Sequence, residues 1–210
     1  MNLAESVNYV CPLMGSTDTY PDPMRVERDI YFYCSFTTKT ALTLIKLLKE
    51  VEASLVTANK KNKHDRDHIT LHLNSPGGEL YSGLAVYGVM IAIKVPIVVM
   101  IEGIACSAAS LIAMAGTKRF IHPHSFMLVH QLSSGASGKM TEIEGTVRNL
   151  REFSRTTKDI YLKHTNFTED ELENILPQDI FLNAAKCKEK GLVDDIISQK
   201  KLYELDPENL

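Results

Sequence analysis

The chain has 210 residues, of which 44% are hydrophobic and 23% charged, and a formal net charge of −3 at pH 7. That length suits one domain with at most a small appendage, whose core needs neither metal nor disulfide, and the nearly balanced charge excludes a general affinity for nucleic acid or anionic lipid. The four cysteines, Cys11, Cys34, Cys106 and Cys187, are scattered without a CxxC pair, which argues against a zinc site or a disulfide framework.

The first thirty residues lack a basic stretch followed by an apolar one, and the apolar runs are broken well short of a membrane span. A soluble, cytoplasmic protein is expected. Residues 1–24 contain CPLMGSTDTYPDP and are dense in turn formers, so they read as an irregular arm. RDIYFYCSF follows as a strand, and TALTLIKLLKEVEASLV as an amphipathic helix with Leu42, Ile45, Leu48 and Val51 on its apolar side. NKKNKHDRDH is a solvated loop.

Strand and helix then alternate. ITLHLN leads through the turn SPGG into a helix from Glu79 to Lys94, with Leu80, Leu84, Tyr87 and Ile91 on one face, and PIVVMIEG is the next strand. A helix starts near Ser107, and the strands RFIHP and FMLVHQ come after it. Strands separated by helices imply right-handed crossovers, hence an α/β fold with a mostly parallel sheet. From Lys139 the apolar residues Met140, Ile143, Val147, Leu150 and Tyr161 keep a helical period for about six turns. Thr141 with Glu144 resembles a capping box, although the glycines before it are an equal start signal; Thr168 with Glu171 resembles another. FLNAAKCKEKGLVDDII ends the pattern as helix, turn and strand.

Two strand-to-helix turns, SPGG at 75–78 and GIACS at 103–107, direct free helix-start N–H groups out of the carboxyl edge of the sheet. If the turns are neighbours, the N–H groups of Gly78 and Ala108 can bind one oxyanion, at roughly 2.7–4 kcal/mol per donor in acyl transfer. Ser107 would then be a nucleophile, although a stretch this rich in small residues equally suits close helix packing. A nucleophilic serine needs a base. His130 ends an apolar strand, and an imidazole with a pKa near ~6.5 accepts a proton at neutral pH. An acid must fix its tautomer; Asp179 enters the buried-looking run Ile-Phe-Leu, whereas Asp194 and Asp195 read as solvated turn residues. His64 and His68 lie in a charged loop, His164 follows the long helix, and His122 and His124 lack a third ligand for a metal.

Taken in order, NSPGGELYSG, EGIACSAASLIAMAG, KRFIHPHSFMLVHQ, GASGKMTEIE and DIFLNAAKCKEKGLVDDI resemble the proteolytic subunit of the caseinolytic (Clp) protease over about residues 25 to 198. The resemblance implies a crotonase-like superhelix of β-β-α units with a protruding handle helix. It makes Ser107 the nucleophile, His130 the base and Asp179 the orienting acid, with Gly78 and Ala108 supplying the oxyanion N–H groups and no metal or organic cofactor. It also implies cleavage of unfolded or short polypeptides inside a homo-oligomer of stacked heptameric rings, fed by an AAA+ unfoldase ATPase. On this reading residues 1–24 are the arm, 25–138 and 164–200 the catalytic head, 139–163 the handle and 201–210 a tail.

The departures are specific. Gln178 stands where the family usually has an arginine before the triad aspartate, and Thr70 and His72 stand where two tyrosines commonly form part of the groove for the ATPase. HQL replaces the usual HQP. Three other readings compete: a catalytically silent ring subunit, another crotonase-superfamily enzyme acting on acyl-CoA enolates, and a Ser–Lys dyad using Lys94 or Lys118.

Overall fold

The computed structural model describes residues 21–59 and 68–197. Cys11, His64 and most of the expected arm, the loop before ITLHLN and the tail lie outside the described residues. The described residues hold eight strands and six α-helices, which begin in the order β1 (Met24–Val26), β2 (Asp29–Phe32), α1 (Thr38–Asn59), β3 (Ile69–Ser75), α2 (Leu80–Ala92), β4 (Ile97–Cys106) and α3 (Ala108–Ala113). The second half holds β5 (Lys118–Ile121), β6 (Phe126–Leu128), α4 (Met140–His164), α5 (Glu169–Ile175), β7 (Phe181–Asn183), α6 (Ala184–Glu189) and β8 (Asp195–Ile196).

The sheet has the order β1-β2-β3-β4-β5-β8, and β6 and β7 branch from it. Every pairing is parallel except β1 with β2 and β6 with β7. The branch arises in β4. Its first half, Val98–Ile101, pairs with β5, and its second half, Ile104–Cys106, pairs with β6. Gly103, at φ +88, makes the bend between them, and a Cβ there would lie 2.8 Å from Asn74 Oδ1. The Asn74 amide oxygen accepts the Ile104 N–H at 3.1 Å and the Ser125 hydroxyl accepts the Gly103 N–H at 2.7 Å, so the bend leaves both backbone donors paired.

Helices α1, α2 and α3 cover one side of β3 and β4, where Leu71, Leu73, Val99 and Ile101 meet Leu44, Leu48, Val86 and Leu111. A smaller cluster of Val98, Met100, Phe120 and Ile197 lies apart from that core. No helix of the described residues is long and apolar enough to cross a membrane.

Several expectations about faces are corrected. In α1 the buried residues are Ala41, Leu44, Leu48 and Val51, while Leu42 is 58% exposed. Leu42 and Val51 are nine residues apart, half a revolution out of phase at ~3.6 residues per turn, so one face cannot hold both. In α2 the buried residues are Ser82, Gly83, Val86 and Met90, and Ile91 is exposed. The small pair Ser82-Gly83 faces inward because α2 lies close to α3: a Cβ on Gly83 would sit 3.0 Å from that of Ala108. The strand expected from Arg28 is the second arm of a hairpin, with Glu27 at φ +54 in its turn. The long helix starts at Met140 with Lys139 as its cap, the Lys139 N–H donating to the Glu142 carboxylate at 3.0 Å, rather than at Thr141 with Glu144. Thr168 and Glu171 do form the second capping box.

Candidate active site

Ser107 is the single residue between β4 and α3 and has φ 54 and ψ −123. A non-glycine residue in this region carries about 1–3 kcal/mol of strain. Such a sharp strand-to-helix turn pushes a side-chain oxygen out above the sheet edge. Its N–H donates to Leu128 O at 2.9 Å and its carbonyl accepts the Leu111 N–H at 3.1 Å.

The SPGG turn lies against this one, as the parallel partners Ser75 and Ala105 require. A Cβ on Gly77 would stand 2.7 Å from Ser107 Cβ and 3.2 Å from Ala108 N. Gly78 pairs with Phe36 in an isolated parallel bridge, through Phe36 N–H to Gly77 O and Glu79 N–H to Phe36 O. In that pattern the N–H of Gly78 itself points away from Phe36. Ala108 opens α3, so its N–H has no intrahelical acceptor. Both residues line the same cavity, of about 330 Å³, as Ser107 and His130.

His130 follows β6, and Asp179 follows a 3₁₀ turn at Leu176–Gln178 with φ 47. Their side chains meet: His130 Nδ1 is 3.0 Å from Asp179 Oδ1. Nδ1 is therefore the protonated nitrogen when the carboxylate is ionised, which leaves Nε2 as the basic one. Ser107 Oγ and the ring share the cavity without a hydrogen bond between them, a looseness common before substrate arrives. The imidazole is mostly covered, whereas the Asp179 carboxylate is 69% exposed. Ile180 and Phe181 after it are exposed too, and only Leu182 of the expected Ile-Phe-Leu run is buried. Gln178 donates its amide to Asn174 O at 2.7 Å and caps the end of α5.

The far wall of the cavity is α4 from its middle to its C-terminal end, with Leu150, Phe153, Thr157 and Tyr161. Tyr81 on α2 meets Phe153 edge to face at 5.2 Å, so aromatic rings flank the opening. Glu79 also lines the cavity; hydrogen bonds from Ser82 and Thr38 hold its carboxyl below the ordinary range.

Two groups escaped the sequence reading. Asp194 is an exposed bend residue, as expected, but it has a structural contact the sequence does not show: it accepts the Arg119 N–H at 2.8 Å, and Arg119 also reaches His164 O at 2.9 Å, tying the end of α4 to the sheet. Glu102, on β4, gathers Tyr33 from the end of β2, His72 from β3 and His122 after β5. His72 Nδ1 lies 2.8 Å from Glu102 Oε1 and stacks on Tyr31 at 4.4 Å. Period-two alternation places these side chains on one face, but only the sheet order brings the strands together.

A family model, Clp protease, matches residues 23–200. The chain belongs to the Clp protease family. Membership makes it a peptidase in general terms, and the mostly parallel α/β sheet is that family's fold.

Proposed function

We propose that this member of the Clp protease family is a serine endopeptidase that cleaves unfolded polypeptides or short peptides by acyl transfer. The observation that carries the proposal is one cavity lined by Ser107, His130, Gly78 and Ala108, with Asp179 behind the imidazole. Ser107 Oγ attacks the scissile carbonyl. His130 Nε2 takes its proton and returns it to the leaving amine, Asp179 holds the tautomer and steadies the imidazolium, and the N–H groups of Gly78 and Ala108 receive the oxyanion. Water then attacks the acyl-enzyme by the same route in reverse.

The peptidase works as a homo-oligomer of stacked heptameric rings, with 25–138 and 164–200 as head and 139–163 as handle. Met140, 71% exposed, and Val147 at the start of α4 support this, since an apolar stripe left uncovered within the chain suits a second copy. An AAA+ unfoldase is its proposed partner, and its Glu102 cluster makes the face around His72 more polar than a plain apolar groove. The buried thiols Cys34, Cys106 and Cys187 accord with the cytoplasm.

The test is hydrolysis of a fluorogenic peptide by wild type and Ser107→Ala. Activity in the wild type that vanishes in the variant is expected; equal activity in both would refute the nucleophile. The exposed Asp179 carboxylate keeps the silent ring subunit as the second reading, and a folded wild type without turnover would favour it.

A further inference from the structure

Ser110, on α3, is fully buried, and its hydroxyl lies 2.8 Å from Ser107 O, 3.0 Å from Leu128 O and 2.8 Å from Tyr161 Oη. The chemistry of these three partners fixes the direction of the bonds. Two are carbonyls, which only accept, and a serine hydroxyl has one proton, so Ser110 shares that proton between the carbonyls, the Ser107 oxygen being the nearer. The Tyr161 phenol must then be the donor to Ser110 Oγ. Tyr161 is 4% exposed, and burial raises its pKa above the ordinary phenol range, so it keeps its proton.

The chain of hydroxyls ends on the peptide that matters most to the proposed reaction. The carbonyl of Ser107 and the N–H of Ala108 belong to one planar peptide group and point in opposite directions. Whatever holds that carbonyl therefore aims the Ala108 N–H into the cavity. A donor on the carbonyl also polarises the peptide and makes its N–H the better donor. Leu128 O, the other acceptor, receives the Ser107 N–H as well and lies two residues before His130. The same pair of hydroxyls thus touches the supports of nucleophile, base and oxyanion donor, and Tyr161 ties all three to α4.

We propose that Tyr161 and Ser110 are positioning residues for the oxyanion donor Ala108 and for Ser107, through which the seating of α4 sets the reactivity of the site. This rests on the serine peptidase reading above. It predicts that loss of the Tyr161 hydroxyl weakens turnover while the ring keeps its place in the cavity wall.

The test compares wild type, Tyr161→Phe, Ser110→Ala and the double variant in three measurements: the rate constant for fluorophosphonate labelling of Ser107, kcat and KM on a short peptide, and the thermal midpoint. Tyr161→Phe keeps the ring and its packing and removes only the hydroxyl. It is expected to slow labelling and kcat together by about tenfold, with KM and midpoint nearly unchanged. The double variant should label no more slowly than Ser110→Ala, because the hydroxyls act in series. Tyr161→Phe labelling at the wild-type rate would overturn the inference, as would a change confined to KM or to the midpoint. A folded wild type that is not labelled at Ser107 would instead overturn the peptidase reading, and this inference with it.

Discussion

Replacing Gly78 with alanine puts a methyl group where the fold has no room for one. The new Cβ would lie 2.2 Å from Phe36 O and 2.7 Å from Phe36 N, at a φ of +142. Both neighbours are backbone atoms of a β-bridge, so a side-chain rotation cannot relieve the clash. Separation to ordinary contact shifts the turn by about 1 Å, and a misplacement of that size at a reacting group costs about 10²-fold. Loss of the Gly78 N–H as oxyanion donor alone costs about 2.7–4 kcal/mol of barrier. The two effects overlap rather than add, and turnover should fall by at least about 10²-fold. The φ strain should also lower stability by about 1–3 kcal/mol. Gly88→Ala is the control, since nothing lies within 4 Å of a Cβ at that position inside α2; it should gain about 0.5–1 kcal/mol. Initial rates on a fluorogenic peptide and urea midpoints measure both. Gly78→Ala with wild-type turnover would refute the oxyanion assignment and the steric reasoning together.

Asp179→Asn should lower turnover by orders of magnitude, because the amide stabilises the wrong imidazole tautomer, while Asp194→Asn should keep turnover and lose about 1 kcal/mol of stability through Arg119; the reverse ranking would reject both placements. Ile143→Lys with Val147→Glu should yield smaller particles in sedimentation, and unchanged large particles would show that this stripe is not an assembly surface. Burial pushes the Glu102 carboxyl up, but hydrogen bonds from His72 and Tyr33 and the nearby imidazoles outweigh it, so its pKa lies below the ordinary value. The folded state therefore binds fewer protons there: the stabilisation is full above about pH 4.3, the unfolded value, and fades as pH falls through the folded one. Urea midpoints taken down through that range should drop less steeply in Glu102→Gln than in wild type, and identical slopes would contradict this.

The alternation of strands and helices was legible because each element carries its own period, and the SPGG and GIACS turns were legible because each follows an apolar strand and opens a helix. That the turns are neighbours needed the β3–β4 register, in which Ser75 stands beside Ala105. Faces were harder. Spacing by three drifts around a helix, so Leu42 was grouped with Val51 across α1, and an inward Ser82-Gly83 has no hydropathy signal at all. The β1 turn was hidden because Glu27 adopts the positive φ usually left to glycine. Polar contacts between distant residues, such as Tyr161 with Ser110 and Tyr33 with Glu102, join elements 51 and 69 positions apart. Nothing local in the chain marks them.

The most direct test of the central claim is to treat the intact protein with a fluorophosphonate and map the adduct by mass spectrometry. One phosphonate per chain is expected, on Ser107, forming quickly in wild type and hardly at all in His130→Ala, because only a serine paired with a base is nucleophilic. An unmodified Ser107 in a folded, assembled protein, or a first adduct on another serine, would contradict it.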